Sequence, residues 1–168
     1  AALTIVQETE LSVSEVQARA DVVYKSADVG AAVASGSFKT LGMIIAPCSV
    51  RTMSEIATGV TSSLLTRSAD VTLKERRPLV LMVRETPLHL GHLRTMVALT
   101  EMGAIVAPPL PAFYTRPKTL DDLINQSVGR AKKTVYCAED ETQAAADPKD
   151  YVASVGHLLV PTLGERIK

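Results

Sequence analysis

Three short apolar runs constrain this chain most: Leu41-Gly-Met-Ile-Ile-Ala-Pro47, Leu79-Val-Leu-Met-Val-Arg84 and Gly103-Ala-Ile-Val-Ala-Pro108. Each is too short for a buried helix, each closes on a proline or a charge, and none alternates polar with apolar residues. That is the pattern of strands covered on both faces. Between them lie segments with helical signals. Ser12 and Glu15 fit a capping box for a helix running to about Ala20. The stretches Thr52 to Leu65 and Ser68 to Arg77 mix polar and apolar residues at helical spacing. His89 to Met102 carries Leu90, Leu93, Val97 and Met102, with Gly103 just past its end as a cap; Thr119, Asp121 and Asp122 open a last helix running to about Lys132.

Strands alternating with helical crossovers imply parallel pairing and right-handed connections, hence an α/β fold with an open, doubly wound sheet between two helical layers. A length of 168 residues with 46% hydrophobic content suits one such domain with a sizeable core. Lys and Arg total 18, Asp and Glu total 18, and the formal net charge is +0, so no global field draws nucleic acid or an anionic membrane. A small molecule or another protein is the expected partner. The two cysteines, Cys48 and Cys137, lack the spacing of a zinc site or a disulfide framework. The apolar stretch Leu41 to Val50 is about half of the ~20 residues a membrane span needs. No basic leader precedes an apolar run at the N-terminus, and the expected compartment is the cytoplasm.

Ligands of open α/β sheets sit at the carboxyl ends of the strands, which directs attention to three loops. In Pro47-Cys-Ser-Val-Arg-Thr52, backbone N–H groups and the hydroxyls of Ser49 and Thr52 can meet a phosphate at a helix N-terminus, or a hydroxyl can simply cap that helix. In Val83-Arg-Glu-Thr-Pro-Leu-His89, a cation beside a carboxylate can orient an anion and move a proton, or the two can form an ordinary surface pair. In Pro108-Pro-Leu-Pro-Ala-Phe-Tyr-Thr-Arg-Pro117, the prolines hold Phe113 and Tyr114 in a stiff segment, which either walls an apolar pocket or only connects two elements. Lys74, Arg67, Arg116 and Arg130 are cations that can converge on a phosphate or remain solvated. Cys48 reads as a small buried filler, and His89 with His92 lacks a third metal ligand at a fitting spacing.

Taken in order, Ser35-Gly-Ser-Phe38, Ile45-Ala-Pro-Cys-Ser-Val-Arg-Thr52, Leu64-Leu-Thr-Arg-Ser-Ala-Asp70, Leu73-Lys-Glu-Arg-Arg-Pro-Leu79, Val83-Arg-Glu-Thr-Pro-Leu-His89 and Pro111-Ala-Phe-Tyr114 resemble the UbiX family of flavin prenyltransferases. The resemblance implies a Rossmann-like, three-layer flavoprotein domain over residues 1–133 and a divergent tail over 134–168. The activity it implies is transfer of a dimethylallyl group from dimethylallyl phosphate to reduced FMN, giving the prenylated flavin used by a UbiD-type decarboxylase. It also implies a homo-oligomer and no metal. On the matching positions, Ser49, Val50, Arg51, Thr52 and Arg84 would contact FMN. Tyr114, Arg130 and Lys74 would hold the prenyl phosphate, and Glu85 with Lys74 would act catalytically near the leaving group.

Members of that family carry a first strand, a Gly-Ala-Ser-Gly-Ala-type loop and a helix, and the matching stretch here starts downstream of them. The expectation is therefore a sheet short of one strand, with unpaired edges there and a weaker hold on the FMN phosphate. The run Val152 to Val160 is apolar enough to pair with such an edge, in this chain or a neighbour, and residues 138–150 read as a linker or a fraying helix. Two further functions fit the same features: a flavin-binding scaffold subunit without turnover, and a flavin-dependent aromatic acid decarboxylase. Retention of Lys74, Tyr114 and Arg130 speaks against the decarboxylase, which needs no prenyl phosphate site.

Overall fold

The computed structural model describes residues 2–136 together with the backbone of 151–155 and 157–160. Its centre is a parallel pair, β2 (Gly42–Cys48) and β3 (Leu79–Val83), in register from Met43↔Leu79 to Ile45↔Leu81. The register shifts between Ile45 and Cys48, where Pro47 has no N–H to give the ladder. Every residue of β3 is buried, and each such side chain contributes about 1.5–3 kcal/mol of transfer free energy as an upper estimate.

Up to the register shift, the two faces of this pair are sorted by residue parity; beyond it, Cys48 joins the odd-numbered side. Met43, Ile45, Leu79, Leu81 and Val83 pack on one side with Met53, Ile56, Leu64, Ala69 and Leu99. These last come from α3 (Val50–Ala57), α4 (Leu64–Lys74) and α5 (Leu90–Glu101). Ile44, Val80 and Met82 pack on the other side against Ala131 and Val135 of α6 (Leu120–Tyr136). The apolar runs are thus covered on both faces, as their lack of alternation requires.

The sheet has six strands in the order β1-β6-β5-β2-β3-β4, with β1 at Val22–Tyr24, β4 at Ile105–Val106, β5 at Tyr151–Val155 and β6 at His157–Val160. Strands β5, β2, β3 and β4 are mutually parallel, while β6 is antiparallel to both β5 and β1. β1 therefore runs with the parallel set, and β6 is the one reversed strand. The apolar run at Val152–Val160 forms two strands rather than one, and β5 lies along β2 from Gly42↔Tyr151 to Ile45↔Ser154. β2 is paired on both sides, so the open edge expected there is filled. The expected linker or fraying helix at 138–150 lies outside the described residues.

Helix ends follow local chemistry. Ser12 and Glu15 form the reciprocal capping box at the start of α2 (Val13–Gln17). The two central helices are displaced from their expected spans: Gly59 takes a left-handed φ of 70° after α3, and Ser63 starts α4 through a reciprocal box with Thr66. Gly103, at φ 98°, ends α5 as expected. α6 runs past Lys132, which lets Val135 reach the start of β2. α1 (Ala2–Glu8) and β1 carry too few periodic residues to stand out in the sequence.

Two glycines give opposite expectations. A Cβ on Gly42 would lie 2.6 Å from the Pro78 carbonyl oxygen and 2.8 Å from Val135 Cγ1, whereas one on Gly129, exposed within α6, meets nothing. Gly42→Ala should lose about 1–3 kcal/mol of unfolding free energy in urea. Gly129→Ala should gain roughly 0.5–1 kcal/mol from helix propensity.

Candidate functional site

Because the parallel strands all end on one edge, β2, β3 and β4 deliver their following loops to the same side. Ser49 leaves β2 and N-caps α3, its Oγ accepting from the Thr52 N–H at 3.1 Å. The first N–H groups of a helix have no intrahelical partner, so those of Val50 and Arg51 remain available to an acceptor. Arg51 projects into solvent and pairs with Glu55 at 2.8 Å. The loop after β3 is tied alongside, the Arg84 N–H donating to the Cys48 carbonyl at 3.2 Å.

The Arg84 guanidinium forms a bidentate pair with Glu8 at the end of α1, one arm at 2.6 Å. The Arg84 hydrogen bond holds the Glu8 carboxyl below its ordinary value, and Glu8 raises Arg84 in turn. Glu8 was not singled out from sequence, and no local pattern marks it: the partners stand 76 positions apart. Glu85, next to Arg84, is exposed and accepts the Thr86 N–H at 3.0 Å. His89 caps α5 through Nδ1, accepting from Gly91 at 3.0 Å, and its ring stacks on His92 with centroids 3.6 Å apart. His89 thus serves as a helix cap, and His92 stacks on it. Among the described residues no group of three His, Cys, Asp or Glu side chains is arranged for a metal.

The loop after β4 brings Phe113 and Tyr114 to a single 3-10 turn, with both side chains strongly exposed. Tyr114 Oη accepts from Gln126 Nε2 at 3.1 Å and from Arg130 at 3.3 Å. With both lone-pair directions taken, the Tyr114 O–H is left to donate outward, beside a guanidinium. Tyr114 and Arg130, paired in the sequence reading, are thus brought together, and Gln126 joins them. Its position one turn before Arg130 on α6 is the signal that could have found it.

Lys74 is not part of this group within one chain. It closes α4 just before β3 begins, at the strand-entry edge of the sheet, and donates to Glu75 at 2.8 Å. There it lies against the Ser35–Phe38 turn: a Cβ on Gly36 would sit 2.1 Å from Glu75 Oε1 and 3.0 Å from Lys74 Nζ. Arg77 holds the same turn, donating to the carbonyls of Phe38 at 2.6 Å and Gly36 at 2.8 Å. Arg67 pairs with Asp70 at 2.9 Å, and Arg116 holds a left-handed φ of 52°.

A family model described as Flavoprotein matches residues 2–154. Flavin prenyltransferase UbiX of Escherichia coli strain K12 is 61% identical over 127 residues, which span 76% of this chain and 67% of that protein. This chain belongs to the UbiX flavin prenyltransferases. The fold agrees with that membership. The crystal structure of AnUbiX (PadA1) in complex with FMN and dimethylallyl pyrophosphate superposes with a TM-score of 0.79 at 48% identity, covering 80% of this chain and 72% of that one. A dodecameric FMN-dependent UbiX-like decarboxylase from Escherichia coli O157:H7 superposes at 0.76 with 47% identity, over 78% and 72% of the two chains. The donors gathered here fit the anionic end of a flavin: an open helix N-terminus at Val50 and Arg51 lies beside the hydroxyl of Ser49, and the loop carrying Arg84 is bonded to the same strand end.

Cys48, buried at this edge, is a packing group: desolvation pushes its thiol up to about 12. A raised folded value means the native state keeps a proton that the unfolded chain releases from about pH 9. The contribution is full below pH 9 and lost as pH rises toward 12. Wild-type stability in urea should therefore fall more steeply over that window than that of Cys48→Ala. Equal slopes would show that the thiol is not desolvated. Peptide mapping after alkylation at pH 8 should find Cys48 unmodified in the folded chain.

Proposed function

We propose that this chain transfers the dimethylallyl group of dimethylallyl phosphate to reduced FMN, with the phosphate held at Tyr114 and Arg130 and the flavin at the loops carrying Ser49 and Arg84. The observation that supports this most directly is the Tyr114–Gln126–Arg130 cluster, an exposed hydroxyl and guanidinium with no carboxylate paired to them among the described residues. Such a pair suits a phosphate monoester and has no evident use in decarboxylation.

Reduced FMN, when bound, supplies the nucleophilic ring atoms that accept the prenyl group. The protein's part is to make phosphate a good leaving group and to exclude water from the allylic carbon. As the C–O bond of the donor breaks, its electron pair goes to the phosphate, and charge accumulates where Arg130 and the Tyr114 hydroxyl already point. Phe113 offers an apolar wall to the isoprenyl tail, which keeps a cationic allyl fragment from being hydrolysed. Glu85, at the strand end between the two regions, carries the proton balance as acid to the departing phosphate or base for the proton released from the flavin. Ser49 and the N–H groups of Val50 and Arg51 orient the flavin, with Thr52 fixing Ser49 and Arg84 adding a positive charge.

Lys74 fits this scheme from a second copy. Its position at the opposite edge of its own sheet supports that reading, as does the dodecameric assembly of the Escherichia coli O157:H7 relative. The product is expected to pass to a UbiD-type decarboxylase in the cytoplasm. No helix among the described residues is long and apolar enough to cross a membrane. The flavoprotein unit is proposed as residues 1–133, with 134–168 as an appended segment.

Mass analysis of the flavin after anaerobic incubation with reduced FMN and dimethylallyl phosphate tests this, with dimethylallyl pyrophosphate run in parallel. The expected product is heavier by one prenyl group, and its rate of formation should fall about 100-fold or more in Arg130→Ala. Glu85→Gln should lose rate while retaining flavin. Recovery of unmodified FMN with the folded wild-type chain would establish the scaffold reading instead.

A further inference from the structure

Lys74 is a long, half-exposed side chain, and its bond to Glu75 joins two neighbours at one helix end, which by itself does little to fix where the ammonium sits. The Ser35–Phe38 turn supplies the missing constraint. A Cβ on Gly36 would lie 2.1 Å from Glu75 Oε1, 2.8 Å from Glu75 Cδ and 3.0 Å from Lys74 Nζ, so the pair rests directly on the backbone of the turn. Gly36 is not among the residues with positive φ. What requires a glycine there is this close approach rather than the backbone conformation.

That backbone is itself fastened by Arg77. The half-buried guanidinium donates to the Phe38 carbonyl at 2.6 Å and to the Gly36 carbonyl at 2.8 Å, and Phe38 packs on the main core. The end of α4 is shaped to bring Arg77 there. Arg76 takes a left-handed φ of 56°, its N–H returning to the Leu73 carbonyl and that of Arg77 to the Thr72 carbonyl, both at 2.9 Å. The left-handed residue after a helix is usually glycine. An arginine holds a less favoured conformation here, and its two neighbours, Glu75 and Arg77, meet the same turn. Glu75 senses both cations: the Lys74 hydrogen bond chiefly, and more weakly the charge of Arg77, hold its carboxyl below its ordinary value.

We infer that Arg77 is a positioning residue for the prenyl phosphate, holding the Lys74 ammonium in place through the backbone of the Ser35–Phe38 turn, with Gly36 leaving the space in which the Lys74–Glu75 pair is seated. This rests on the reading of Lys74 as a phosphate ligand supplied by a second copy, and adds the two residues that aim it. Arg77 acts through Lys74, since both arms of its fork are committed to carbonyls of the turn. A planar fork can hold two carbonyls at once, whereas a lysine offers a single point charge.

Two measurements on the full chain test this, with circular dichroism confirming that each variant is folded. The first needs neither flavin nor donor: competitive acylation followed by peptide mass analysis reads how firmly the Lys74 amine is held, with the exposed Lys118 as internal reference. Arg77→Met and Gly36→Ala should each raise the relative reactivity of Lys74 about threefold or more, and Arg77→Lys should fall between them and the wild type. Gly36→Ala separates the inference from loss of fold, because the nearest atoms to its Cβ are the far ends of flexible side chains. The second measurement is prenyl transfer with dimethylallyl phosphate varied at saturating reduced FMN. Arg77→Met should raise the KM for the donor about tenfold with kcat changed far less. It should have no further effect in a Lys74→Ala background, whereas a residue that only stabilises the fold would act equally in both. Unchanged Lys74 reactivity in both Arg77→Met and Gly36→Ala, or the same KM increase with and without Lys74, would overturn the inference. A wild-type chain without prenyl transfer would overturn the phosphate role of Lys74 and with it that of Arg77, while the acylation ratios would still show whether the amine is seated by the turn.

Discussion

The contact on which the rest depends is the parallel pairing of β2 with β3. Both strands are apolar along their length and are covered on both faces, so neither can carry a charged side chain except at its end. Parallel direction then sends both ends, and that of β4, to one edge of the sheet. Ser49, Arg84, Glu85 and Tyr114 come to the same edge because burial excludes them from the strands and the parallel strand direction carries the following loops to one side. The hydrogen bond from the Arg84 N–H to the Cys48 carbonyl is where this constraint reaches the chemistry. It fixes the relative height of the first two loops, so any ligand spanning them meets a fixed frame rather than two independent loops.

Much of this frame is legible in the residues themselves. Runs without alternation mean two covered faces, and β2, β3 and β4 fall within the stretches so marked. Helix signals were sound where a cap with a single meaning was present, as at Ser12 and Gly103. They failed between Thr52 and Arg77 because the apolar spacing there continues across the break, and only the Gly59 backbone and the Ser63–Thr66 box divide it. Contacts set by tertiary approach left no trace. Glu8 meets Arg84 only because α1 folds back over the loop after β3. Likewise the reversal between β5 and β6 cannot be read from one continuous apolar run.

The site residues divide along the same line. The resemblance joined Tyr114 to Arg130, and the helix geometry that supports them also brings in Gln126, one turn earlier. The resemblance also joined Lys74 to them, whereas within one chain Lys74 closes α4 at the strand-entry edge of the sheet. α4 runs back against the strands, so its last residue lies beside the Ser35–Phe38 turn, held there by Arg77.

Charge balance explains which of these cations a phosphate would meet first. Arg51, Arg84 and Lys74 are each engaged by a nearby carboxylate: Glu55, Glu8 and Glu75. Exposed pairs of this kind are worth about 0–1 kcal/mol, so they hold a side chain in place without burying its charge. An incoming dianion must nevertheless compete with a carboxylate at each of them. Among the described residues Arg130 has only the neutral oxygen of Tyr114 as its side-chain partner, so no carboxylate there offsets its charge, and the hydroxyl beside it is turned to donate. The departing phosphate of a prenyl donor carries its greatest charge at the moment the bond breaks. On the proposed reading, Arg130 would therefore bind the transition state more strongly than the ground state, whereas the carboxylate-paired cations would be better suited to orienting a flavin that does not change charge so sharply.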